Sequence, residues 1–156
     1  MHLPNKILVP VDLSKRSEIG VAYAAMMAET TGAELVIMTN VGLPEREALE
    51  EFAIGEDLTI EEAAEAAIHR IIVDQAPDST TSTVVRFENF PADAILEVAT
   101  SEAADLIVIA SHGRSGMTRW MLGSVAEKIA RSAAVPVLIV PAREMAAAAP
   151  SAGKTG

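Results

Sequence analysis

Short apolar segments separated by helical segments constrain the fold of this chain more than any other feature. Five of them recur along the sequence, at residues 6–11, 33–39, 82–87, 106–110 and 137–140. The first and the fourth are continuous apolar runs rather than alternating ones, which is typical of strands buried on both faces of a sheet. The sequence therefore predicts five short strands with helices between them.

The first helix is predicted between strands one and two. Ser14 is a candidate N-cap, Gly32 marks the end, and the predicted apolar face consists of Ile19, Tyr23, Met26 and Met27, the last two as a core pair. No periodic pattern covers residues 42–57, which are acidic and contain Pro44 and Gly55. This segment is predicted to be a mobile connection with at most a helical turn.

Three further helices have clear start signals. Thr59 with Glu62 fits a capping box, and so does Ser124 with Glu127, so helices are predicted from these positions to about residues 75 and 133. Pro91 suits the first position of the helix between them.

Strict alternation of buried strands and helices implies an α/β fold. The predicted architecture is a doubly wound, five-stranded parallel sheet in the order 3-2-1-4-5, with helices on both faces. Ligands of such sheets bind beyond the carboxyl ends of the strands at the switch point, here between strands 1 and 4. The domain is predicted to span residues 1–141, and the Ala-, Ser- and Gly-rich residues 142–156 are predicted to be a disordered tail.

Composition excludes several function classes. The chain has 22 acidic and 12 basic residues, a formal net charge of −10, which opposes binding to nucleic acid or to anionic membranes. It has no cysteine, which excludes disulfides and thiolate metal sites. No apolar run approaches the about 20 residues that a membrane helix needs, and no leader segment is visible, so we expect a cytoplasmic protein without membrane insertion.

The loop after the fourth strand carries the strongest chemical signal. It contains Gly113, Gly116 and Gly123, two arginines (Arg114 and Arg119) and a helix start at Ser124. Exposed backbone amides, a helix N-terminus and a nearby cation together suit a phosphate group. A glycine-rich turn followed by an ordinary N-cap explains the same residues equally well.

The same residues resemble the universal stress protein family, and the resemblance extends from strand 1 to the segment 136–141. Members that bind ATP carry G-x-x-G, nine residues, then G-[ST]. Here the pattern falls on residues 110–113 and on Gly123 with Ser124, with the spacing intact and Ala110 in place of the first glycine. The resemblance also implies the fold of the adenine nucleotide α-hydrolase superfamily.

The resemblance implies an adenine nucleotide ligand: ATP, or AMP or ADP, with Mg²⁺ as an accompanying ion. Asp12 would lie near adenine and ribose, Val11 and Val41 would form apolar walls, and Gly113, Gly123 and Ser124 would hold the phosphates. As alternatives, Asp12 would cap the first helix or start a turn, Ser124 would act only as a cap, and Val41 would be an ordinary core residue. The full set of expected binding residues is Pro10, Val11, Asp12, Val41, Ala110, His112, Gly113, Arg114, Gly116, Gly123, Ser124 and Val125. No catalytic or metal-binding residue is predicted.

Three functions fit these residues. The first is a nucleotide-binding regulatory protein that responds to stress and acts through an unidentified protein partner rather than by turnover. The second is an enzyme, either a slow ATP hydrolase or a pyrophosphatase of the wider superfamily, although the loop after strand 1 lacks the glycines of the latter. The third is an interaction protein with a degenerate pocket. The last strand, from Val137 to Val140, is an uncharged edge strand, and the resemblance also implies that it forms a homodimer.

Overall fold

The computed structural model describes residues 2–111 and 122–142, and its centre is one five-stranded parallel sheet. The strand order β3-β2-β1-β4-β5 confirms the predicted order. The strands are β1 (Lys6–Val11), β2 (Glu34–Asn40), β3 (Thr81–Arg86), β4 (Leu106–Ser111) and β5 (Val137–Pro141). All five coincide with predicted strands to within one residue at each end.

Five helices surround the sheet among the described residues. They are α1 (Glu18–Thr31), α2 (Leu43–Glu56), α3 (Ile60–Gln75), α4 (Pro91–Ser101) and α5 (Ser124–Ser132). Helices α1 and α3 pack on one face of the sheet, and α4 and α5 pack on the other. Helix α2 packs on α3. No helix in the described ranges is both long and apolar enough to cross a bilayer.

The prediction of a mobile connection over residues 42–57 is wrong, because most of this segment is the fourteen-residue helix α2. Helix α2 buries only one narrow side, with Leu49 and Ala53 as its buried apolar residues. Five of its remaining twelve positions are glutamates, four of them exposed, and they interrupt any apolar stripe in the sequence. Pro44 occupies the first turn, where proline is tolerated, rather than interrupting the helix.

Helix α1 also differs from its prediction in two respects. It begins at Glu18 with Ser17 as N-cap, because residues 14–17 form a separate turn in which the Ser17 amide donates to the Ser14 carbonyl at 3.1 Å. Met26 is 58% exposed, so the expected core pair is wrong for Met26, although Met27 does pack against the core. The fully buried apolar positions of α1 are small residues and valine, namely Gly20, Val21, Ala24, Ala25 and Ala28. Ile19 and Tyr23 of the predicted face are partly buried and pack against the core cluster beneath α1.

Small residues let α1 lie unusually close to the sheet, and the approach is tightest at Gly20. A Cβ atom built there would stand 3.3 Å from the Ala110 amide nitrogen, 3.6 Å from Val9 Cγ1 and 3.8 Å from the Val108 carbonyl oxygen. Any larger side chain at this position would push α1 away from β1 and β4. Gly20 thus sets the separation between α1 and the centre of the sheet.

The predicted capping box at the start of α3 is confirmed. The Thr59 hydroxyl accepts a hydrogen bond from the Glu62 amide at 3.2 Å, and the Glu62 carboxylate accepts one from the Thr59 amide at 2.8 Å. These hydrogen bonds from the backbone and the side chain of Thr59 lower the pKa of Glu62 below its ordinary value of 4.5. The box fixes the point at which the chain turns from α2 into α3.

We predict opposite effects for two glycine substitutions. Gly20→Val should lower the free energy of unfolding by about 1–3 kcal/mol, because the valine side chain has no room against β1 and β4. Gly55→Ala in α2 meets no atom within 4 Å. It should raise the free energy by up to about 1 kcal/mol through helix propensity alone. Urea unfolding followed by circular dichroism measures both, and a Gly20→Val variant as stable as wild type would contradict this account of the packing.

Candidate functional site

The carboxyl ends of the parallel strands and the N-terminus of α5 meet at one edge of the sheet. Eight of the twelve predicted binding residues belong to this region of the described structure: Pro10, Val11, Asp12, Val41, Ala110, Gly123, Ser124 and Val125. The other four, His112, Gly113, Arg114 and Gly116, lie outside the described residues. The topology therefore brings four separate stretches of sequence, at residues 10–12, 41, 110 and 123–125, to the edge that contains the predicted switch point between β1 and β4.

Pairing between β1 and β4 stops well before the ends of the two strands. It joins only Ile7 with Leu106 and Leu8 with Ile107, whereas β1 and β2 pair at six positions. The Lys6 carbonyl accepts a hydrogen bond from the Asp105 amide, so alternation along β1 also turns the backbone of Pro10 towards β4. Proline has no N–H to donate, which explains why the ladder does not continue past Leu8.

A tight turn follows β1 directly. Asp12 Oδ1 accepts hydrogen bonds from the Ser14 amide at 3.0 Å and from the Ser14 hydroxyl at 2.5 Å. Between them, Leu13 adopts φ of 62°, a left-handed conformation that costs a non-glycine residue about 1–2 kcal/mol. The Asp12 carboxylate therefore holds a strained turn at the edge of the site, which agrees with the alternative that it initiates a turn.

Val11 and Val41 are both part of the hydrophobic core. Val11 is 4% exposed and belongs to the cluster beneath α1 and α3. Val41 is 5% exposed and packs in a cluster with Leu49 and Ala53 of α2 and with Ala63 and Ala64 of α3. Each valine offers little surface to a ligand, and the contacts of Val41 are those of the core-residue alternative.

Ala110 replaces the first glycine of the family motif and is also buried, with 3% of its surface exposed. Val108 belongs to the cluster beneath α1, so alternation along β4 places the Ala110 side chain on the same side of the sheet. The backbone of Ala110 is the part that approaches Gly20. The methyl group that alanine adds at this position thus lies on the α1 side of β4, and Ala110 exposes almost no surface to solvent.

The predicted capping box at Ser124 is wrong. Gly123 is the N-cap of α5, with φ of −59° and ψ of 150°, and Ser124 is the first helical residue. Glu127 then lies one position too far along the helix to reach the N-cap amide, and its carboxylate pairs with Arg131 at 2.9 Å instead. The amides of the first turn receive no side-chain cap within the described residues.

An uncapped helix N-terminus carries amide groups without intrahelical acceptors and the positive end of the helix dipole. In α5 these amides belong to Ser124, Val125 and Ala126, whereas the Glu127 amide donates to the Gly123 carbonyl at 2.9 Å. Ser124 is exposed, and Gly123 has no side chain to obstruct access. This end of α5 can donate hydrogen bonds to an anion.

Sequence reasoning missed three residues that shape this edge. Leu13 gave no signal, since leucine rarely adopts positive φ. Thr39 is fully buried, and its hydroxyl donates to the Val11 carbonyl at 2.9 Å, which fixes the end of β1. Glu18 is 8% exposed and is paired with Lys15 at 3.0 Å and with Gln75 at 3.3 Å. No group of three His, Asp or Glu residues in the described part of the chain could hold a metal ion.

Comparison with known sequences now identifies the family. The profile of the family described as "Universal stress protein family" matches residues 4–141. This chain belongs to the universal stress protein family. A universal stress protein from Methanocaldococcus jannaschii is 32% identical over 147 residues, covering 89% of this chain and 83% of the relative. Relatives from Mycobacterium are also 32% identical, and this chain spans 45% of their length.

Two solved universal stress protein structures extend the comparison. One, a complex with cAMP, is 26% identical to this chain with a TM-score of 0.64, and the match covers 90% of this chain and 98% of the other. The other, from Archaeoglobus fulgidus in complex with dAMP, is 25% identical with a TM-score of 0.58, and the match covers 88% and 98% of the two chains. This universal stress protein thus shares its fold with family members described as bound to adenine nucleotides.

The two helix starts in this universal stress protein should respond differently to loss of a hydroxyl. Thr59→Ala removes a cap and should lower the free energy of unfolding by about 0.5–2 kcal/mol. Ser124→Ala removes no cap and should change it by less than about 0.5 kcal/mol. Urea unfolding compares the two variants directly. Equal losses in the free energy of unfolding would show that Ser124 acts as a cap after all.

Proposed function

We propose that this universal stress protein is a regulatory protein that binds an adenine nucleotide and acts through a partner. The observation that carries the proposal is the uncapped N-terminus of α5, which lies at the sheet edge where the pairing of β1 with β4 ends. Anions bind at such helix ends, and ligands of doubly wound sheets bind at such switch points. The complexes of relatives with cAMP and dAMP support an adenine nucleotide as the ligand.

The phosphate part of the proposal depends on three residues of α5. Gly123 would let phosphate oxygens approach the first helical turn, and Ser124 and Val125 would donate their amides. The Ser124 hydroxyl makes no cap, so it is also able to donate. The predicted contacts of His112, Gly113, Arg114 and Gly116 are part of the proposal by the family motif alone. Mg²⁺ would accompany ATP through the phosphate oxygens and water, as is common for this ion.

The nucleoside part of the proposal depends on the end of β1. Asp12 would accept a hydrogen bond from ribose or adenine while Oδ1 keeps the turn at Ser14 closed. Pro10, Val11, Val41 and Ala110 would contribute backbone edges and the small exposed apolar surface above the core. ATP, ADP and AMP share this nucleoside, so the order of their affinities depends on the contacts made by their phosphates.

We infer a binding protein rather than an enzyme, working in the cytoplasm. Asp12 is the one carboxylate among the predicted binding residues that the structure describes, and it is engaged in the turn with Ser14. Glu18 nearby is buried and paired with Lys15. Slow hydrolysis of ATP would need a water positioned by residues of the loop. A second candidate is an interaction protein with a degenerate pocket, which is favoured by the low exposure of Val11, Val41 and Ala110.

Calorimetry with ATP tests the proposal. Wild type should bind in the micromolar range or weaker. The double variant Gly123→Val with Ser124→Ala should bind at least about a hundredfold more weakly, because the valine blocks access to the first-turn amides. The φ and ψ of Gly123 are open to any residue, so the helix should still form. Unchanged affinity in this variant, or a wild type that binds no adenine nucleotide, would overturn the assignment.

Two single variants separate the roles of neighbouring residues in the same assay. Asp12→Ala should weaken binding, because it removes both the carboxylate and the support of the Leu13 turn. Ala110→Gly restores the family glycine and should bind at least as tightly as wild type. If Asp12→Ala binds ATP as tightly as wild type, the role of Asp12 is limited to its local turn.

We also propose a homodimer formed through β5. Within residues 2–111 and 122–142 this strand pairs only with β4, so no described strand covers its other edge. It contains four consecutive aliphatic residues without charge: Val137, Leu138, Ile139 and Val140. The Ile107 amide donates to the Pro136 carbonyl, so alternation turns the backbone of Leu138 towards β4 and the backbone of Val137 and Ile139 outwards. Antiparallel pairing with a second β5 would satisfy these groups.

The outward amide of Ile139 provides the test. Ile139→Pro removes that donor while leaving the pairing with β4 intact, and proline is tolerated on the solvent side of an edge strand. We expect light scattering to show a dimer for wild type and for the control Ile139→Val, and a monomer for Ile139→Pro. A wild type that remains monomeric at high micromolar concentration would rule the dimer out.

A further inference from the structure

Helix α2 presents an unusual combination of residues to solvent. Leu43 and Ile54 are 81% and 83% exposed, and they lie on one face because eleven residues make about three turns. Three exposed glutamates lie between them on that face. We name this face the α2 stripe, and its members are Leu43, Glu47, Glu50, Glu51 and Ile54.

The α2 stripe faces away from the domain, because the opposite side of α2 holds the helix on α3. Leu49 and Ala53 are buried there, and the Arg70 guanidinium lies 5.8 Å from the centre of the Phe52 ring. Neither Leu43 nor Ile54 belongs to any core cluster among the described residues. Their exposure therefore serves no packing within the part of the fold that the structure describes.

Charge is concentrated around the same face. Residues 43–65, which cover α2 and the start of α3, contain nine acidic side chains and one basic one, Arg46. The rest of the sequence holds 13 acidic and 11 basic residues, so this segment accounts for most of the net charge of −10. A partner that covers the α2 stripe must bring positive charge to match it.

We propose that the α2 stripe docks a cationic amphipathic helix of a partner protein. Such a helix would place apolar residues on Leu43 and Ile54 and lysine or arginine against the glutamates between them. A second copy of this chain would oppose an equally acidic surface, and an anionic membrane would be repelled by the same charge. The proposal rests on the partner-mediated part of the proposed function and names the surface through which it acts.

The position of the stripe suits a partner that responds to the state of the site. Gly42 is the N-cap of α2, and it directly follows Val41 at the carboxyl end of β2. Leu43, at one end of the α2 stripe, is thus two residues from a predicted binding residue. A partner docked on the stripe would lie beside the edge where the nucleotide is proposed to bind.

The test uses nucleotide-free protein, so its outcome does not depend on ATP binding. The probe is a synthetic peptide of leucine and lysine arranged in a helical repeat, and the control peptide has the same composition in an order without helical period. Fluorescence anisotropy measures affinity, and amide chemical shifts locate the binding surface. We expect the helical peptide to bind more tightly and to shift the amides of the α2 stripe.

Matched variants distinguish binding at the α2 stripe from a general attraction of the peptide to an acidic protein. Leu43→Ser with Ile54→Ser should weaken binding at least about tenfold, whereas Leu3→Ser with Val73→Ser, which removes two other exposed aliphatic residues, should change it less than about twofold. Glu47→Gln with Glu51→Gln should likewise weaken binding more than Glu29→Gln with Glu97→Gln. The proposal would be overturned if the two serine variants, or the two glutamine variants, weakened binding equally. Equal affinity for the two peptides, or amide chemical-shift changes confined to other surfaces, would overturn it as well.

Discussion

The close approach of α1 to the backbone of β4 at Gly20 is the constraint on which the packing at the carboxyl edge of the sheet depends. Pro10 ends the hydrogen-bonded pairing of β1 with β4, so the centre of the sheet depends on helix packing near its carboxyl edge. Helix α1 supplies that packing at Gly20, where even an added Cβ atom would already lie within van der Waals distance of atoms of Val9, Val108 and Ala110. The two features act together. The end of the β1–β4 pairing opens the carboxyl edge of the sheet, and the close packing of α1 keeps that edge rigid.

The same arrangement explains where strain occurs. After β1 the chain must leave the sheet and reach the start of α1 within a few residues, and Leu13 adopts a left-handed conformation to do so. The Asp12 carboxylate and the Ser14 amide stabilise that turn. This turn costs energy locally and is maintained by its surroundings, since Leu13 packs against the core clusters beneath α1 and α2.

Much of the fold could be predicted because several signals were local. Continuous aliphatic runs identified β1 and β4, the Thr59–Glu62 pair identified the start of α3, and topology rules gave the strand order. Helix α2 escaped because Leu49 and Ala53 are too few to form a periodic stripe. At Ser124 the residue types of a capping box were present, but Gly123 already had the N-cap conformation, which sequence alone does not reveal.

The candidate site was predictable in position and less so in detail. Topology places the ends of β1, β2 and β4 together, so Asp12, Val41 and Ala110 could be assigned to one edge. The burial of Val41 and Ala110 could not be predicted, because it depends on how closely α1, α2 and α3 cover the strands. The ion pair of Glu18 with Lys15 and the hydrogen bond of Thr39 to Val11 likewise depend on tertiary packing.

The shallow attachment of α2 has a consequence for the dynamics of the domain. In the part of the chain that the structure describes, α2 is held by the buried Leu49 and Ala53 and by the contact of Phe52 with Arg70. We expect its free energy of local opening to be lower than that of the helices that cover the sheet. Repulsion among its glutamates lowers that free energy further, most of all at low ionic strength. We therefore expect α2 to open before the other described helices when the domain is destabilised, and any molecule that binds across α2 and α3 to suppress this opening according to its affinity.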